Sequence, residues 1–176
     1  MDYYTLKIGK LERKLPIVSL GPKIKVASFN LLGDQELVHE IAKIMSKKIK
    51  GLDFDYLVGP EVKVVPLLHS LTQLLKKKRY IVCRKEIHGY MVSPIKTSYK
   101  PYLVIDGNDA NLLKGKKVIV VDDVVTSGQT LNMVEELMNI TNTKVVAKIA
   151  VFKQGEKLQV SQKDIIFFST LPSFTS

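Results

Sequence analysis

The sequence has almost no cysteine and no long hydrophobic run. Its 176 residues include one cysteine, Cys83, so no disulfide can form within the chain and a cytoplasmic location is the simplest expectation. Cys83 follows three apolar residues, which indicates a buried, unreactive thiol. No apolar stretch reaches the roughly 20 residues that span a bilayer, and no secretory signal is visible. We therefore expect no membrane partner.

Acidic residues are also scarce, and the net charge of +10 favours anionic partners. Much of the positive charge lies in two clusters, at residues 47–50 and 76–79. The simplest interpretation places both clusters at helix C-termini, where cations complement the helix dipole. Nucleic-acid binding is the alternative, but no helix-turn-helix-like segment, zinc-ligand spacing or RNA-binding aromatic signature supports it. A small polyanionic substrate would account for some of the charge without nucleic acid.

The order of predicted elements indicates one α/β domain over residues 1–176. A hairpin is expected at 3–20, a short strand at 25–29, and a helix from the capping residue Asp34 to Lys48. Strands and helices then alternate, which predicts a mostly parallel sheet with helices on both faces. The later strands are predicted at 55–59, 80–84, 102–105, 117–122, 144–152 and 165–168, and the later helices at 66–77 and 129–140. Residues 86–100 show no period and are predicted to form a long loop.

The most informative segment, residues 118–131, runs from a buried strand through two acidic residues into a hydroxyl-rich turn and a helix. Open parallel sheets bind ligands outside the carboxyl ends of their strands, and helix N-termini bind phosphate. Asp122 and Asp123 are suited to ribose hydroxyls or magnesium. A nucleotide kinase could also place an aspartate after an apolar strand, but the sequence lacks the Gly-rich loop that this requires.

This segment resembles the phosphoribosyl-pyrophosphate-binding motif of the type I phosphoribosyltransferases. The resemblance implies that family's fold with a small hood, formed here by residues 1–33 and the C-terminus. It also implies that Asp122 and Asp123 hold the ribose hydroxyls and contact Mg²⁺ through substrate and water. The predicted 5′-phosphate site consists of Thr126, Ser127, Gly128, Gln129 and Thr130.

Residues 60–67 resemble the pyrophosphate loop of adenine phosphoribosyltransferase-like proteins, which implies that Glu61, Val62 and Lys63 bind pyrophosphate. Arg84 and Lys85 match the basic pair that follows in this family and are predicted to join them. Val64 is a departure, because the family often has glycine there and glycine lets backbone approach a ligand closely. Residues 86–100 correspond to the loop that closes over the site and excludes water.

The N-terminal part also resembles the adenine-type group and implies a base pocket that includes Phe29, Leu31 and Val124. Thr126 stands where hypoxanthine-guanine enzymes typically carry an aspartate, and orotate enzymes can have threonine there. We therefore expect a homodimeric adenine phosphoribosyltransferase. Transfer to hypoxanthine, guanine or xanthine is an alternative. A regulator that senses phosphoribosyl pyrophosphate without turnover is another, which Val64 and the basic charge keep open.

Overall fold

The computed structural model describes residues 2–155 and 164–175. The strands, in chain order, are β1 (Tyr3–Ile8), β2 (Leu11–Gly21), β3 (Ile24–Ala27), β4 (Tyr56–Pro60), β5 (Tyr80–Cys83), β6 (Ile95–Lys96), β7 (Val104–Ile105), β8 (Lys117–Val125), β9 (Lys144–Gln154), β10 (Ile165–Leu171) and β11 (Ser173–Thr175). The helices are α1 (Gln35–Ile49), α2 (Val65–Leu74), α3 (Gly107–Leu113) and α4 (Gln129–Ile140). None of these helices is long and apolar enough to cross a bilayer.

The main sheet has five strands in the order β10-β9-β8-β4-β5, and every neighbouring pair is parallel. The strand that carries the acidic pair, β8, therefore lies at the centre, as the sequence predicts. Parallel strands align their carboxyl ends along one edge, so the residues that follow β4, β5 and β8 converge there. This edge holds the candidate site.

Helices cover both faces of the main sheet, which explains why its strands are nearly continuous runs of apolar residues. Alternate residues of β8 divide between two cores. Ile119 and Val121 pack in the core under α1 and α2, whereas Val118 and Val120 pack in the core under α3 and α4. All four side chains are fully buried. Cys83 is buried in the second core, as predicted, and burial raises the pKa of its thiol to about 12.

A second sheet, of four antiparallel strands in the order β1-β2-β3-β11, joins the two ends of the chain. The predicted hairpin is present as β1 and β2, and Asp34 caps α1 by accepting a hydrogen bond from the Leu37 amide. The Gln154 side-chain amide donates to the Ala27 carbonyl at 2.9 Å and so connects this sheet to the end of β9. Its role as a hood over a base stays a prediction.

Several features of the fold differ from the sequence-based expectations. The strand predicted at 102–105 is shortened to β7, which pairs antiparallel with β6 outside the main sheet. Residues 107–113, predicted as a connection, form the short helix α3, which Asp106 caps through the Asn108 amide. The central strand was predicted to end at residue 122 but continues to Val125, so both aspartates lie within β8 and not in a turn. The strand continues because Asp122 and Val124 still pair with Ala150 and Phe152 of β9.

Candidate active site

The acidic pair lies near the carboxyl end of β8, with both side chains largely buried. Asp122 is 6% exposed and Asp123 is 9% exposed. Successive strand residues face opposite sides of the sheet, yet both carboxylates border the same concavity because it lies beyond the strand ends. The Asp123 amide donates to the Asp122 carboxylate at 2.8 Å, which fixes the orientation of that carboxylate.

Burial, together with the charge of Asp123, raises the pKa of Asp122 well above its ordinary value. The positive charge of Lys63 opposes this shift only weakly. A buried carboxylate of raised pKa gains most from a cation or from hydroxyl donors that replace lost water. Among the described residues no cluster of three or more His, Cys, Asp or Glu side chains exists. Two carboxylates suit Mg²⁺, which keeps waters and substrate oxygens as its remaining ligands.

The hydroxyl-rich turn connects β8 to the N-terminus of α4. Gly128 caps the helix with a left-handed backbone, φ 79°, a conformation that glycine adopts without steric cost. The Gln129 amide donates to the Ser127 hydroxyl at 3.4 Å. Residues 124–131 and Asp122 line a small concavity at this helix end. Since helix N-termini present unpaired N–H groups and a positive dipole end, the concavity is suited to a phosphate.

The segment after β4 forms a loop that Glu61 connects to the end of β5. The Glu61 amide donates to the Cys83 carbonyl at 2.8 Å, and its carboxylate accepts from the Lys85 amide at 2.7 Å. The Arg84 guanidinium also binds the Glu61 carboxylate. Burial opposes ionisation of Glu61, but these hydrogen bonds outweigh burial and lower its pKa. The Glu61–Val62 peptide bond is cis.

Val64 occupies the position at which the sequence resemblance expects glycine. Its backbone is right-handed, with φ −83°, so the conformation does not require glycine. The side chain is 1% exposed and packs in the core under α1 and α2. The Val64 side chain therefore points into the core and away from the solvent-facing side of the loop.

The loop and the acidic pair enclose a concavity of about 300 Å³. Its lining residues come from the loop, from β5's end, from β8 and from α4: Pro60, Glu61, Val62, Lys63, Val64, Lys85, Asp122, Asp123, Val124 and Thr130. The small concavity at the start of α4 shares Asp122, Val124 and Thr130 with it. The two are thus contiguous, and they bring together most of the residues that the sequence singles out.

Three predicted residues are placed differently. Arg84 does not line the concavity, because its guanidinium is occupied by Glu61, by the Tyr90 hydroxyl at 2.8 Å and by the His88 ring at 3.0 Å. Phe29 is 3% exposed and packs edge-to-face on Phe152, and Leu31 is fully buried. Apolar side chains after β3 are drawn into the core between the two sheets. Of the three base-pocket candidates, the structure brings Val124 to the site.

The loop of residues 86–100 is anchored to the helices below it. The Val92 amide donates to the Asp106 carboxylate at 2.9 Å, and the Gly107 amide donates to the Val92 carbonyl at 2.8 Å. The Ser98 amide donates to the Glu136 carboxylate at 2.7 Å. The strand β6, which lies within the loop, pairs antiparallel with β7, which follows it. Closure of the segment over the site stays a prediction.

Sequence reasoning missed the side chains that position the site without touching it. His88 and Tyr90 stack at a ring distance of 5.4 Å and hold the far side of the Arg84 guanidinium. Gly59 of β4 leaves space for Val64, because a Cβ there would lie 3.0 Å from the Val64 side chain. These residues contact side chains that are distant in sequence or that meet only when the loop has folded, so a sequence pattern does not reveal the contacts. The glycine in an apolar strand was the one available signal.

The family model of the phosphoribosyl transferase domain matches residues 30–175, which is most of the chain. The chain belongs to this family. An adenine phosphoribosyltransferase of Lachnoclostridium phytofermentans is 27% identical over 144 residues, which cover 76% of this chain and 77% of that protein. An orotate phosphoribosyltransferase of Pyrococcus horikoshii is 26% identical over 143 residues, covering 79% of this chain and 70% of that protein.

Solved structures show the same fold. The adenine phosphoribosyltransferase of Rhodothermus marinus superposes with a TM-score of 0.66 at 16% identity and covers 96% of this chain and 94% of its own. That of Thermoanaerobacter pseudethanolicus gives a TM-score of 0.63 at 19% identity, with coverages of 80% and 84%. The chain is thus a phosphoribosyltransferase-family protein that resembles the adenine type in fold, while its sequence relatives include orotate enzymes.

Proposed function

We propose that this protein transfers the phosphoribosyl group of 5-phosphoribosyl 1-pyrophosphate to adenine, giving AMP and pyrophosphate. The observation that carries the proposal is the contiguous concavity in which the acidic pair lies between the loop of residues 61–63 and the N-terminus of α4. A ribose that carries a phosphate at one end and a pyrophosphate at the other needs this order of groups.

Each part of the site has a role in this reaction. Asp122 and Asp123 hold the ribose hydroxyls, and residues 126–130 hold the 5′-phosphate with backbone amides and hydroxyls. Lys63 and Lys85 offset the charge of the pyrophosphate, the loop amide of Val62 orients it, and Glu61 holds the loop in place through its contacts with the end of β5. When bound, Mg²⁺ neutralises pyrophosphate charge, with Asp122 and Asp123 contacting it through substrate and water.

The displacement breaks the bond between C1 of ribose and the pyrophosphate oxygen, which leaves with the bonding electrons, while a purine nitrogen forms the new bond and gives up its proton to the departing pyrophosphate or to solvent. The protein contributes positioning and charge stabilisation. Arg84 acts on this site through Glu61 and so positions the loop. Closure of residues 86–100 would exclude water from the sugar cation that develops in the transition state.

Adenine is proposed as the acceptor because Thr126, unlike an aspartate, cannot exchange a proton with a 6-oxopurine at neutral pH. The adenine-type structural neighbours and Val124, an apolar side chain at the site, are consistent with a neutral planar base. Orotate is the second candidate, because an orotate enzyme is about as similar in sequence as an adenine enzyme.

A panel of bases tests the acceptor. The purified protein is incubated with 5-phosphoribosyl 1-pyrophosphate, MgCl₂ and adenine, hypoxanthine, guanine, xanthine or orotate, and the nucleotide product is separated and quantified. We expect AMP from adenine and little product from the other bases. Turnover of another base without turnover of adenine would contradict the adenine assignment, and binding without any turnover would favour the sensing regulator.

We also propose that the protein is a homodimer. Light scattering coupled to size-exclusion chromatography measures the mass directly. A mass near twice 19.8 kDa is expected, and a mass of 19.8 kDa at the assay concentration would contradict it.

A further inference from the structure

The two lysine clusters of the sequence meet in the fold, at the edge of the main sheet opposite the candidate active site. The first cluster lies in the last turn and cap of α1, the second follows α2, and a groove of about 550 Å³ lies between them. Its lining residues are Ser46, Lys47, Lys50, Leu52, Phe54, Leu74, Leu75, Lys76 and Lys77. This volume is in the range of pockets for small ligands.

The groove combines cations with an apolar wall. Four lysines line it, and within the part of the chain that the structure describes no carboxylate does. The neighbouring carboxylate of Asp53 forms a salt bridge with Lys117 instead. Leu52 and Leu74 are 37% and 40% exposed, so the groove presents apolar surface to solvent beside the lysines. The Lys77 ammonium donates to the Phe54 carbonyl and lies 4.2 Å from the centre of the Phe54 ring. These two contacts fix the position of the Lys77 side chain in the groove.

The backbone of Lys76 has a conformation that is unfavourable for lysine. Its φ is 55°, in the left-handed region where a side chain is strained and where helix ends prefer glycine or asparagine. The ends of α3 and α4 follow that preference, with Gly115 and Asn142 in the left-handed region. At Lys76 this conformation ends α2, with the Lys77 amide donating to the Thr72 carbonyl at 2.9 Å, so lysine stands at a helix end that glycine would fit with less strain. Lys47 and Lys48 lie in the last turn of α1, where they also complement the helix dipole.

We propose that this groove binds a nucleoside di- or triphosphate, with the polyphosphate on Lys47, Lys50 and Lys76 and the nucleoside against Leu52 and Leu74. Four cations around one concavity match the three or four negative charges of such a ligand. A bare inorganic anion would leave the apolar wall unused. Single-stranded nucleic acid is typically bound by exposed aromatic rings that stack on its bases, whereas the one ring among the described lining residues, that of Phe54, is buried.

ATP titration followed by backbone amide NMR of the full chain tests the proposal. Amide signals of Lys47, Lys50, Leu52 and Lys76 should shift in a saturable way. Signals near Val64, at the other end of the ten-residue helix α2, report the active site separately, because that helix spans about 15 Å. The failure of this inference is thus distinguishable from the failure of the proposed transferase activity.

Two variants and their controls decide the assignment. Lys76→Gly should weaken ATP binding at the groove by roughly tenfold while raising the Tm by about 2–4 °C. Asn142→Gly, at the corresponding position after α4, should leave ATP binding unchanged. Lys47→Gln/Lys50→Gln should weaken binding further, whereas the charge-matched Lys14→Gln/Lys23→Gln should not.

Three results would overturn the proposal. The groove signals could remain unshifted by ATP at millimolar concentration. The Lys14→Gln/Lys23→Gln control could weaken binding as much as the groove variant, which would indicate diffuse charge. Inorganic tripolyphosphate could bind as tightly as ATP and leave the Leu52 and Leu74 amides unaffected, which would exclude a nucleoside-specific site.

Discussion

The side chain of Val64 fills the space left open by the missing Cβ of Gly59. A Cβ on Gly59 would lie 2.7 Å from the Val121 carbonyl oxygen and 3.0 Å from Val64 and Leu68 side-chain carbons. Glycine in β4 and valine in the following loop are therefore matched, and the loop packs on the core without glycine at position 64. The departure from the family pattern at Val64 is accompanied by a glycine five residues earlier, in β4.

This match predicts the effect of substitutions on stability. Gly59→Ala should lower the free energy of unfolding by about 1–3 kcal/mol, because the β8 backbone cannot yield to the added methyl group. Val64→Ala should cost about 2 kcal/mol through lost burial and a cavity. The double variant should cost less than the sum of the two, as measured by urea unfolding. Strict additivity would show that the two residues do not interact.

Glu61 should contribute to stability and to substrate binding through Arg84 and Lys85. Glu61→Gln should lower the free energy of unfolding at pH 7 by about 1–2 kcal/mol and raise the KM for 5-phosphoribosyl 1-pyrophosphate. Because the pKa of Glu61 is lowered in the fold, this difference should be complete above pH of about 4.3 and disappear as the pH falls through the lowered pKa.

Urea unfolding across that pH range, with Glu12→Gln as the control, checks this prediction. Glu12 forms an exposed ion pair with Lys7 in the antiparallel sheet, so its substitution should have little effect at any pH. Equal effects of the two substitutions would show that the contacts of Glu61 are not specific.

Asp122 should destabilise the unliganded protein at neutral pH. Since burial raises the pKa of Asp122, ionising it costs more in the folded than in the unfolded chain, and stability falls as the pH rises from about 3.9 through the raised pKa. Asp122→Asn removes this cost, so its Tm should exceed the wild-type Tm at pH 7–8, with a gain that shrinks toward pH 4.5. A gain independent of pH would contradict the assigned cause.

Gly107 should fix the position of the 86–100 loop. A Cβ at Gly107 would lie 2.5 Å from the Val92 carbonyl oxygen and 2.6 Å from that of Ser93, so Gly107→Ala should displace this segment. Limited proteolysis should then cut the loop faster, and kcat/KM should fall. Gly89→Ala is the matched control, because a Cβ there meets nothing within 4 Å. Identical proteolysis of both variants would show that the anchor does not restrain the loop.

The sequence predicted elements whose patterns are local. The apolar run of β8, the helical period of α4 and the Asp34 cap are each contained within about 15 residues, and each was located within a few residues of its position. The short helix α3 was missed because seven residues are too few to show a helical period. The acidic pair, the hydroxyl turn and the loop after β4 could be identified because parallel strands gather such segments at one edge.

Contacts between distant residues could not be predicted. The Arg84 side chain was expected to face pyrophosphate, but Glu61, 23 residues earlier, binds it. Phe29 and Leu31 were expected at a base. Both side chains are buried, and Leu31 lines a cavity between the N-terminal ends of α1 and α2, so their role at a base stays a prediction. The convergence of the two lysine clusters depends on the packing of α1 beside α2 with both C-termini at the same end, which neither cluster reveals by itself.

The proposed transfer to adenine is most directly tested by following radiolabelled adenine into AMP in the presence of 5-phosphoribosyl 1-pyrophosphate and Mg²⁺, with wild type and Asp122→Asn/Asp123→Asn compared side by side. Circular dichroism establishes that the double variant is folded. The wild type should label AMP rapidly, and the variant should not label it. Full activity in the double variant would contradict the proposal, because the acidic pair would then not hold the ribose.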